Sequence, residues 1–489
     1  MRVCVLHPSY EGSDSPMAAH DPPACPERYS RFHTFHHAWL RKATAVRDLR
    51  RLATEGYDAF LNLCDGAADE DRAGIEVVLE LERLNLPFTG AGSAFYEPSR
   101  AAMKRACASV GVRAPAGRFV GPGEDAVVAT AALRWPRIVK HPSSYSSVGM
   151  GRDARVEDEA GLRAVVRRLV AEFGGALVEE FIEGREFVVL VAEPDPGAGP
   201  GAAPRTWSPV EFRFPVGESF KHFDLKWRDH ADMQTVPVTD AALSARLQAD
   251  AAAFFRAVNG SGYGRVDVRV DAEGHAYTLE INPNCGLFYA PEAPGSADAI
   301  LAHGKGGAAA FLDHILACAL ARAERERPRT RVAPASAHGE TLLANRAFAA
   351  GEVVQAWEGK PHPLVSRRHV ERAWGELEKA WFAAYAWPIS DEVFVTWSAD
   401  PEAWQPLNHA CDPNCWLDGL DLVARRPIAE GEEITVDYAT FCGPTMAPFA
   451  CGCGAPICRG VIRGTDYALP ALAERYGEHV SAWVREKRG

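Results

Sequence analysis

The chain has no excess of basic residues, no long apolar run and no internal repeat, and each lack narrows what it does. Its 489 residues carry 53 Lys and Arg against 65 Asp and Glu, a formal net charge of -12. That balance disfavours nonspecific binding to nucleic acid or to an anionic membrane. No stretch of about 18 uninterrupted apolar residues occurs, so no transmembrane helix is expected. The opening MRVCVLHPSY has no basic region followed by a long apolar one, so no signal peptide is expected. Nothing recurs at a fixed period, which argues against a solenoid.

What remains is the composition of a soluble globular protein, with 47% hydrophobic and 24% charged residues. The length suits roughly two to four domains. Six of the twelve cysteines are scattered over the first two-thirds, and six fall between Cys411 and Cys458. Without a secretory signal that late cluster points to metal binding rather than disulfides, and to a reducing cytoplasm.

Residues 1–105 alternate apolar runs (Arg2–Leu6, Tyr57–Leu63) with a helix-like stretch at Arg72–Leu84, the βα pattern of an N-terminal α/β domain. The pattern continues over 106–320, with strand-like runs at Arg137–His141, Ala176–Ile182 and Phe187–Ala192 and an Ala-rich helix at Ala241–Val258. Glu193–Arg205, rich in Pro, Gly and Ala, predicts a surface loop. Residues 321–333 are charged and contain proline, which predicts an interdomain linker. Beyond it the composition shifts to Trp, His and Cys, giving a domain over 334–440, a cysteine-rich segment over 441–467 and a tail over 468–489.

The segment Gly264–Gly286 (GRVDVRVDAEGHAYTLEINPNCG) alternates as two strands about a turn at Ala272–Gly274. Asp267 shares a face with Arg265 and Arg269. Glu280 and Asn282 share a face on the return strand, opposite Leu279 and Ile281. Folding back brings Asp267, Glu280 and Asn282 onto one surface. Clustered carboxylates repel unless a cation intervenes, and oxygen-only ligands suit Mg²⁺ or Mn²⁺ beside nucleotide phosphates. A solvated polar hairpin face is the plainer alternative.

Two further segments gain meaning from company. In WPRIVKHPSSYSSVGMG (135–151) a strand ends at Lys140 and runs into a Ser- and Gly-rich loop, where backbone amides approach phosphate oxygens easily. In ALVEEFIEGREF (176–187) an apolar strand runs into acidic residues. Each alone is an ordinary strand and loop.

In this order the three pieces resemble the ATP-grasp superfamily, and more narrowly the D-alanine–D-alanine ligase group, over roughly residues 1–320. The resemblance implies that Lys104, Lys140 and Lys226 bind phosphates of ATP. Ser146 and Ser147 would lie in a phosphate-covering loop. Glu179, Glu180, Phe181 and Ile182 would form the adenine hinge and Glu186 would hold the ribose. Asp267, Glu280 and Asn282 would ligate the metal, while Arg265 and the backbone of Gly286 would hold a tetrahedral oxyanion. The implied reaction joins a carboxylate to an amine through an acyl phosphate, with small-molecule or peptide substrates. The substrate side departs from the group. Glu11 stands as the counterpart of its amine-holding glutamate, and Pro291 replaces an expected serine, so substrates other than two D-alanines are expected.

At the other end, CGCGAPIC places Cys451, Cys453 and Cys458 within eight residues, a thiolate set suited to structural zinc. Cys411 is the leading fourth ligand, with Cys415 and Cys442 as alternatives. NHACDPN (408–414), GEEITVDYA (431–439) and FACGCGAPICRG, in that order, resemble a SET domain with a post-SET zinc segment over about 334–467. The resemblance implies S-adenosylmethionine (SAM) as methyl donor and an amine acceptor, usually lysine in a protein or peptide. Gly339, Asn408, His409 and Tyr438 would contact SAM, and Tyr438 would also be the active-site tyrosine. Trp381, Phe382, Tyr385 and Trp397 line an acceptor channel or belong to the core. Thr341 stands where the family has a second glycine, and Val436 where an aromatic is common.

The expected fold is an α/β ATP-grasp unit, made of an N-terminal α/β domain and ATP-grasp subdomains, followed by a mostly β SET domain. The leading function is a bifunctional ligase and N-methyltransferase. The alternatives are a ligase with a non-catalytic SET module and a lysine methyltransferase with a nucleotide-sensing ATP-grasp half. Neither a nucleic-acid nor a membrane partner is expected.

Overall fold

Three strands open the chain as a parallel sheet in the order Thr34–Leu40, Arg2–Pro8, Ala59–Asn62. Val3, Val5, Leu6, Phe60 and Leu61 are all buried, as continuous apolar runs in a parallel sheet should be. Helices Ala45–Ala53 and Ile75–Arg83 bury Leu49, Leu52, Val77, Val78 and Leu81 in the same cluster as Leu6 and Phe60. The second helix begins three residues later than Arg72. Arg72 is instead held by Asp65 at 2.8 Å and Glu70 at 2.6 Å.

The computed structural model describes residues 1–489 other than 14–17, 19–20, 69, 143–149, 200, 223, 226–232, 293, 305, 336–338, 360–361 and 398–404. The predicted Ser146, Ser147 and Lys226 lie outside the described residues. Met1–Glu326 and Arg327–Gly489 form two compact units.

Two antiparallel sheets complete the first unit. One runs Gly117–Val120, Ala176–Glu180, Arg137–Lys140, Arg155–Val156. Helix Glu159–Phe173 covers it with Leu162, Val165, Val166 and Leu169, a spacing that puts all four on one helix face. Asp158 caps its start by accepting from Gly161 N, and Gly174 ends it at φ 74°, a left-handed turn that glycine adopts without strain. Leu169→Ala would cost roughly 2–5 kcal/mol through the cavity left behind.

The other sheet runs Gln234–Pro237, Val210–Arg213, Arg185–Ala192, Tyr263–Val270, Ala276–Pro283, with Arg205–Thr206 also paired to Arg185–Ala192. In the last hairpin the register puts Asp267 opposite Glu280 and Arg265 opposite Asn282, then slips so that Val268 faces Thr278. Leu279 is the extra residue of this bulge. It lines the cleft beside Glu280 rather than the far face, because a bulge re-aims the side chains at its position.

The boundary between the two units, Glu326/Arg327, falls inside the predicted linker, most of which is regular structure. Helix Gly307–Glu326 continues through it, and a strand begins at Thr330. Arg322 is buried, bonding Glu193 at 3.1 Å and the Gly90 carbonyl at 3.3 Å, so the charged stretch carries a tertiary anchor.

The second unit is built from short strands around Leu342, Val354, Leu417, Leu422, Ile434 and Val436. Asn408–His409 pairs parallel with Thr435–Val436. The tail forms helices Pro470–Tyr476 and Ala482–Arg488, which bury Leu472, Tyr476, Trp483 and Val484 with Ala439. Among the described residues no single helix is long and apolar enough to cross a membrane.

Candidate active sites

Lys140 ends its strand diagonally across from Glu179, which faces Ile138 in the register. The Lys140 ammonium lies 2.7 Å from Glu179, and Lys104 reaches the other carboxylate oxygen. Gly117 makes room for this contact: a Cβ there would sit 2.9 Å from Glu179 Cγ. Lys104 also donates to the Pro115 carbonyl at 2.6 Å. Burial pushes the Glu179 carboxyl up, but Lys140 and Lys104 outweigh it and hold it at about 2. Thus the two lysines predicted to bind phosphate meet the side chain of a residue predicted as adenine hinge. The hinge is only partly free, because the amides of Glu180 and Phe181 donate to the Ala116 and Pro136 carbonyls. Glu180 is further clamped by Arg134 at 2.7 Å.

Ile138, Met150, Phe181, Ile182, Phe220 and Leu279 give the cleft apolar walls, while Lys140, Glu186, Arg265, Asp267 and Glu280 line it with charge. Such a slot accepts a flat heteroaromatic ring joined to a charged tail. Sequence reasoning missed three cations here. Lys221 lies 3.2 Å from Glu186, Arg269 lies 3.9 Å from it, and Arg100 lies 2.6 Å from Glu280. Burial lowers the pKa of both Lys221 and Arg269. Arg269 had a sequence signal, its alternation with Arg265 and Asp267; Arg100 comes from a distant helix, Arg100–Ser109, and had none.

The predicted metal ligands come together. Asn282 Nδ2 donates to Asp267 Oδ2 at 3.3 Å, and Glu280 is Asp267's direct cross-strand partner. Arg265 donates to both Asp267 oxygens at 2.7 and 3.0 Å. Burial disfavours the Arg265 charge, but Asp267 outweighs it and holds its pKa above the ordinary value. The carboxylates thus already face balancing cations, and their oxygens fit a hard divalent ion.

Gly286 lies under Tyr289: a Cβ on it would sit 2.3 Å from the Tyr289 hydroxyl. That hydroxyl donates to Asp21 at 3.0 Å, and Tyr10 donates to the other oxygen at 2.7 Å. Glu11 is exposed and only 3.9 Å from Arg41. Asp21 and Tyr289, absent from the sequence-based set, form the polar wall beside Gly286.

In the second unit a cleft is lined by Gly339, Tyr385, Trp387, Trp397, Leu407, Asn408 and Tyr438 among others. The Tyr438 hydroxyl donates to the Leu407 carbonyl at 2.8 Å, and burial raises its pKa, so the phenol stays protonated. Asn408 Nδ2 donates to Glu340 O at 3.0 Å and to Glu433 at 2.9 Å. Its side-chain nitrogen is therefore engaged within the protein, leaving Oδ1 for a ligand. Thr341 turns its hydroxyl to the same Glu433 carboxylate and is buried. Of the predicted channel residues, Tyr385 and Trp397 line the cleft. Phe382 packs instead with Val370 and Phe394, and Trp381 packs against Tyr385.

Cys411, Cys451, Cys453 and Cys458 present sulfurs that all lie within 4.8 Å of one another, with Cys411 and Cys451 3.9 Å apart. Tetrahedral zinc at about 2.3 Å from each sulfur requires separations near 3.8 Å, so the set fits. Amides of Arg459 and Gly460 donate to the Cys411 and Cys458 sulfurs at 3.4 Å. Cys415 and Cys442 take no part in this cluster: Cys415 is in the core and Cys442 lines the cleft.

Comparison with known proteins matches this division. Residues 123–297 match the family model "D-ala D-ala ligase C-terminus" and residues 339–439 match the SET domain. The D-alanine–D-alanine ligase of Janthinobacterium sp. (strain Marseille) is 30% identical over 252 residues, 50% of this chain and 74% of that protein. The enzyme of Herminiimonas arsenicoxydans is 31% identical over 253 residues, 50% and 71% of the two chains. The solved D-alanine–D-alanine ligase of Bacillus anthracis complexed with ATP aligns over 67% of this chain and 99% of its own, with a TM-score of 0.49 and 18% identity. The protein is thus an α/β ATP-grasp ligase fused to a mostly β SET domain. Through its first unit the chain belongs to the D-alanine–D-alanine ligase family.

Proposed function

We propose that the first unit is an ADP-forming carboxylate–amine ligase working through an acyl phosphate. The observation that carries this is the cleft lined together by Lys140, Asp267 and Glu280, with Lys104 paired to Glu179 and Asn282 bonded to Asp267. A substrate carboxylate attacks the γ-phosphorus of ATP, and ADP leaves. An amine then attacks the acyl phosphate carbon, phosphate departs and the amine loses a proton. Asp267, Glu280 and Asn282 would hold Mg²⁺ or Mn²⁺, which would supply charge neutralisation at the phosphates. Lys140 and Lys104 do the same as ammonium ions. Arg265 and the Gly286 amide donate to the developing oxyanion. Ser146, Ser147 and Lys226 remain assigned to phosphate, Glu179 to Ile182 to adenine and Glu186 to ribose. ADP release should require an added carboxylate and amine and should vanish in Lys140→Ala and Glu280→Ala; release persisting in both variants overturns this reading.

We infer further that the SET unit moves a methyl group from SAM to an amine of a small molecule, peptide or lysine-containing protein. Gly339, the Asn408 side chain and the His409 backbone hold the donor. Tyr438, a neutral phenol anchored at its hydroxyl, orients the incoming amine, which must be uncharged to act as nucleophile. Labelled methyl transfer lost in Tyr438→Phe supports this. Donor binding without transfer to any amine makes the module a sensor. The thiol-rich zinc set suits a reducing cytoplasm, which is the location we propose.

A further inference from the structure

His409 carries two hydrogen bonds that join the cysteine cluster to the methyl-transfer cleft. Its Nδ1 lies 3.2 Å from the Tyr438 amide, which can only donate. Nδ1 therefore accepts, and the ring proton of the neutral imidazole sits on Nε2. That Nε2 lies 3.4 Å from Cys411 Sγ, so it donates to sulfur, and a metal-bound thiolate is a good acceptor. The ring is almost wholly enclosed, with 2% of its side chain exposed. It also packs against the Tyr438 ring at 5.2 Å and against Phe449 at 5.9 Å. Phe449 lies on strand Phe449–Ala450, immediately ahead of Cys451.

The neighbours on either side of His409 give this bond its consequence. Asn408 reaches Glu340 and Glu433 at the edge of the cleft. Leu407 accepts the Tyr438 hydroxyl through its carbonyl. Tyr438 is thus fixed at its amide by His409 and at its hydroxyl by the residue two before it. Five consecutive residues, Leu407 to Cys411, hold both ends of the tyrosine and one corner of the cysteine cluster.

We propose that His409 is a positioning residue through which metal held by Cys411, Cys451, Cys453 and Cys458 sets the place of Tyr438, so that the cluster and the cleft form one coupled site. This rests on the methyltransferase reading of Tyr438. Metal on Cys411 fixes the sulfur that orients the imidazole, and the imidazole fixes the tyrosine amide. Coupling of this kind is reciprocal: whatever tightens the cleft also tightens the metal.

Two measurements on the full chain test it. In the first, zinc transfer to a chromogenic chelator is timed with and without S-adenosylhomocysteine, whose binding is checked by calorimetry. Wild type should release zinc about fivefold more slowly, or slower still, with the nucleoside bound. His409→Asn keeps an acceptor for the Tyr438 amide but loses the donor to Cys411. It should still hold one zinc yet lose this dependence, and His409→Leu, which loses both bonds, should lose it likewise if the asparagine variant misfolds. Equal slowing in wild type and variant overturns the proposal. In the second, wild-type chain labelled with ¹⁵N in histidine and tyrosine is followed by NMR as zinc is removed. The His409 ring should begin as the Nε2-protonated tautomer, and it and the Tyr438 amide should both shift. Signals unmoved by zinc removal overturn the coupling whether or not the nucleoside binds. Failure of S-adenosylhomocysteine to bind, with those signals shifting, overturns the methyltransferase reading and leaves the coupling supported.

Discussion

Lys140 and Glu179 form an ion pair of 2.7 Å inside the nucleotide cleft, with 8% and 2% of their side chains exposed. A charge this deep is tolerated only because the opposite charge is at hand. On the ligase function proposed above, the pair would hold the lysine's place with a carboxylate until phosphate oxygens arrive.

Acid should therefore loosen the first unit. Glu179 titrates at about 2 against an ordinary 4.5. A depressed carboxyl adds stability above its unfolded-state value and loses it as pH falls through 4.5 toward 2, here about 3 kcal/mol. Glu179→Gln should flatten the pH dependence of unfolding free energy in that window. The variant also leaves two ammonium groups facing an uncharged amide. ATP should then raise its melting temperature by more than it raises that of wild type, as calorimetry can check.

Arg100 and Glu280, 2.6 Å apart, predict competition with the divalent ion. Arg100→Met keeps much of the stem and removes the charge. It should tighten Mg²⁺ or Mn²⁺ binding about tenfold, near 1.4 kcal/mol, in a titration with a non-hydrolysable ATP analogue. Unchanged or weaker binding would mean that arginine and metal occupy Glu280 together.

The hairpin set and three of the four thiols were legible because they sit in short, regular spacings: alternate residues in a strand share a face, and closely spaced cysteines gather at one point. Cys411, far upstream, stood only as the leading choice beside Cys415 and Cys442. Arg100 and Lys221 reach the cleft from segments whose own pattern says nothing about where they dock. Asp21 and Tyr289 meet across 268 residues, a pairing only the assembled fold creates. Phe382 stood open between channel and core because aromatic side chains serve both alike, and the docking of its helix decides for the core.

Tyr438→Phe deletes the hydrogen bond to the Leu407 carbonyl, 2.8 Å in length. The orphaned acceptor should cost about 1 kcal/mol in unfolding free energy. Donor affinity by calorimetry should stay within about threefold of wild type, a change under 1 kcal/mol, while methyl transfer is lost.

Chelation should act on one unit and spare the other. Stripping metal from the four cysteines, or Cys453→Ser, should lower a melting transition assigned to Arg327–Gly489, since structural zinc contributes folding free energy directly. A second transition, raised by ATP and Mg²⁺, should stay within a few degrees of its starting point. A single transition that moves with both treatments would show the units unfolding as one.

The slipped register at Leu279 gives one strand two phases. From Ala276 to Thr278 its side chains alternate in one frame against Arg269 and Val268, and from Glu280 onward in another against Asp267 and Arg265. Removing that single residue would put the strand back in step along its whole length. Glu280 would stay opposite Asp267 and Asn282 opposite Arg265, so a deletion of one leucine would strip an apolar wall from the cleft and keep its carboxylates on one face.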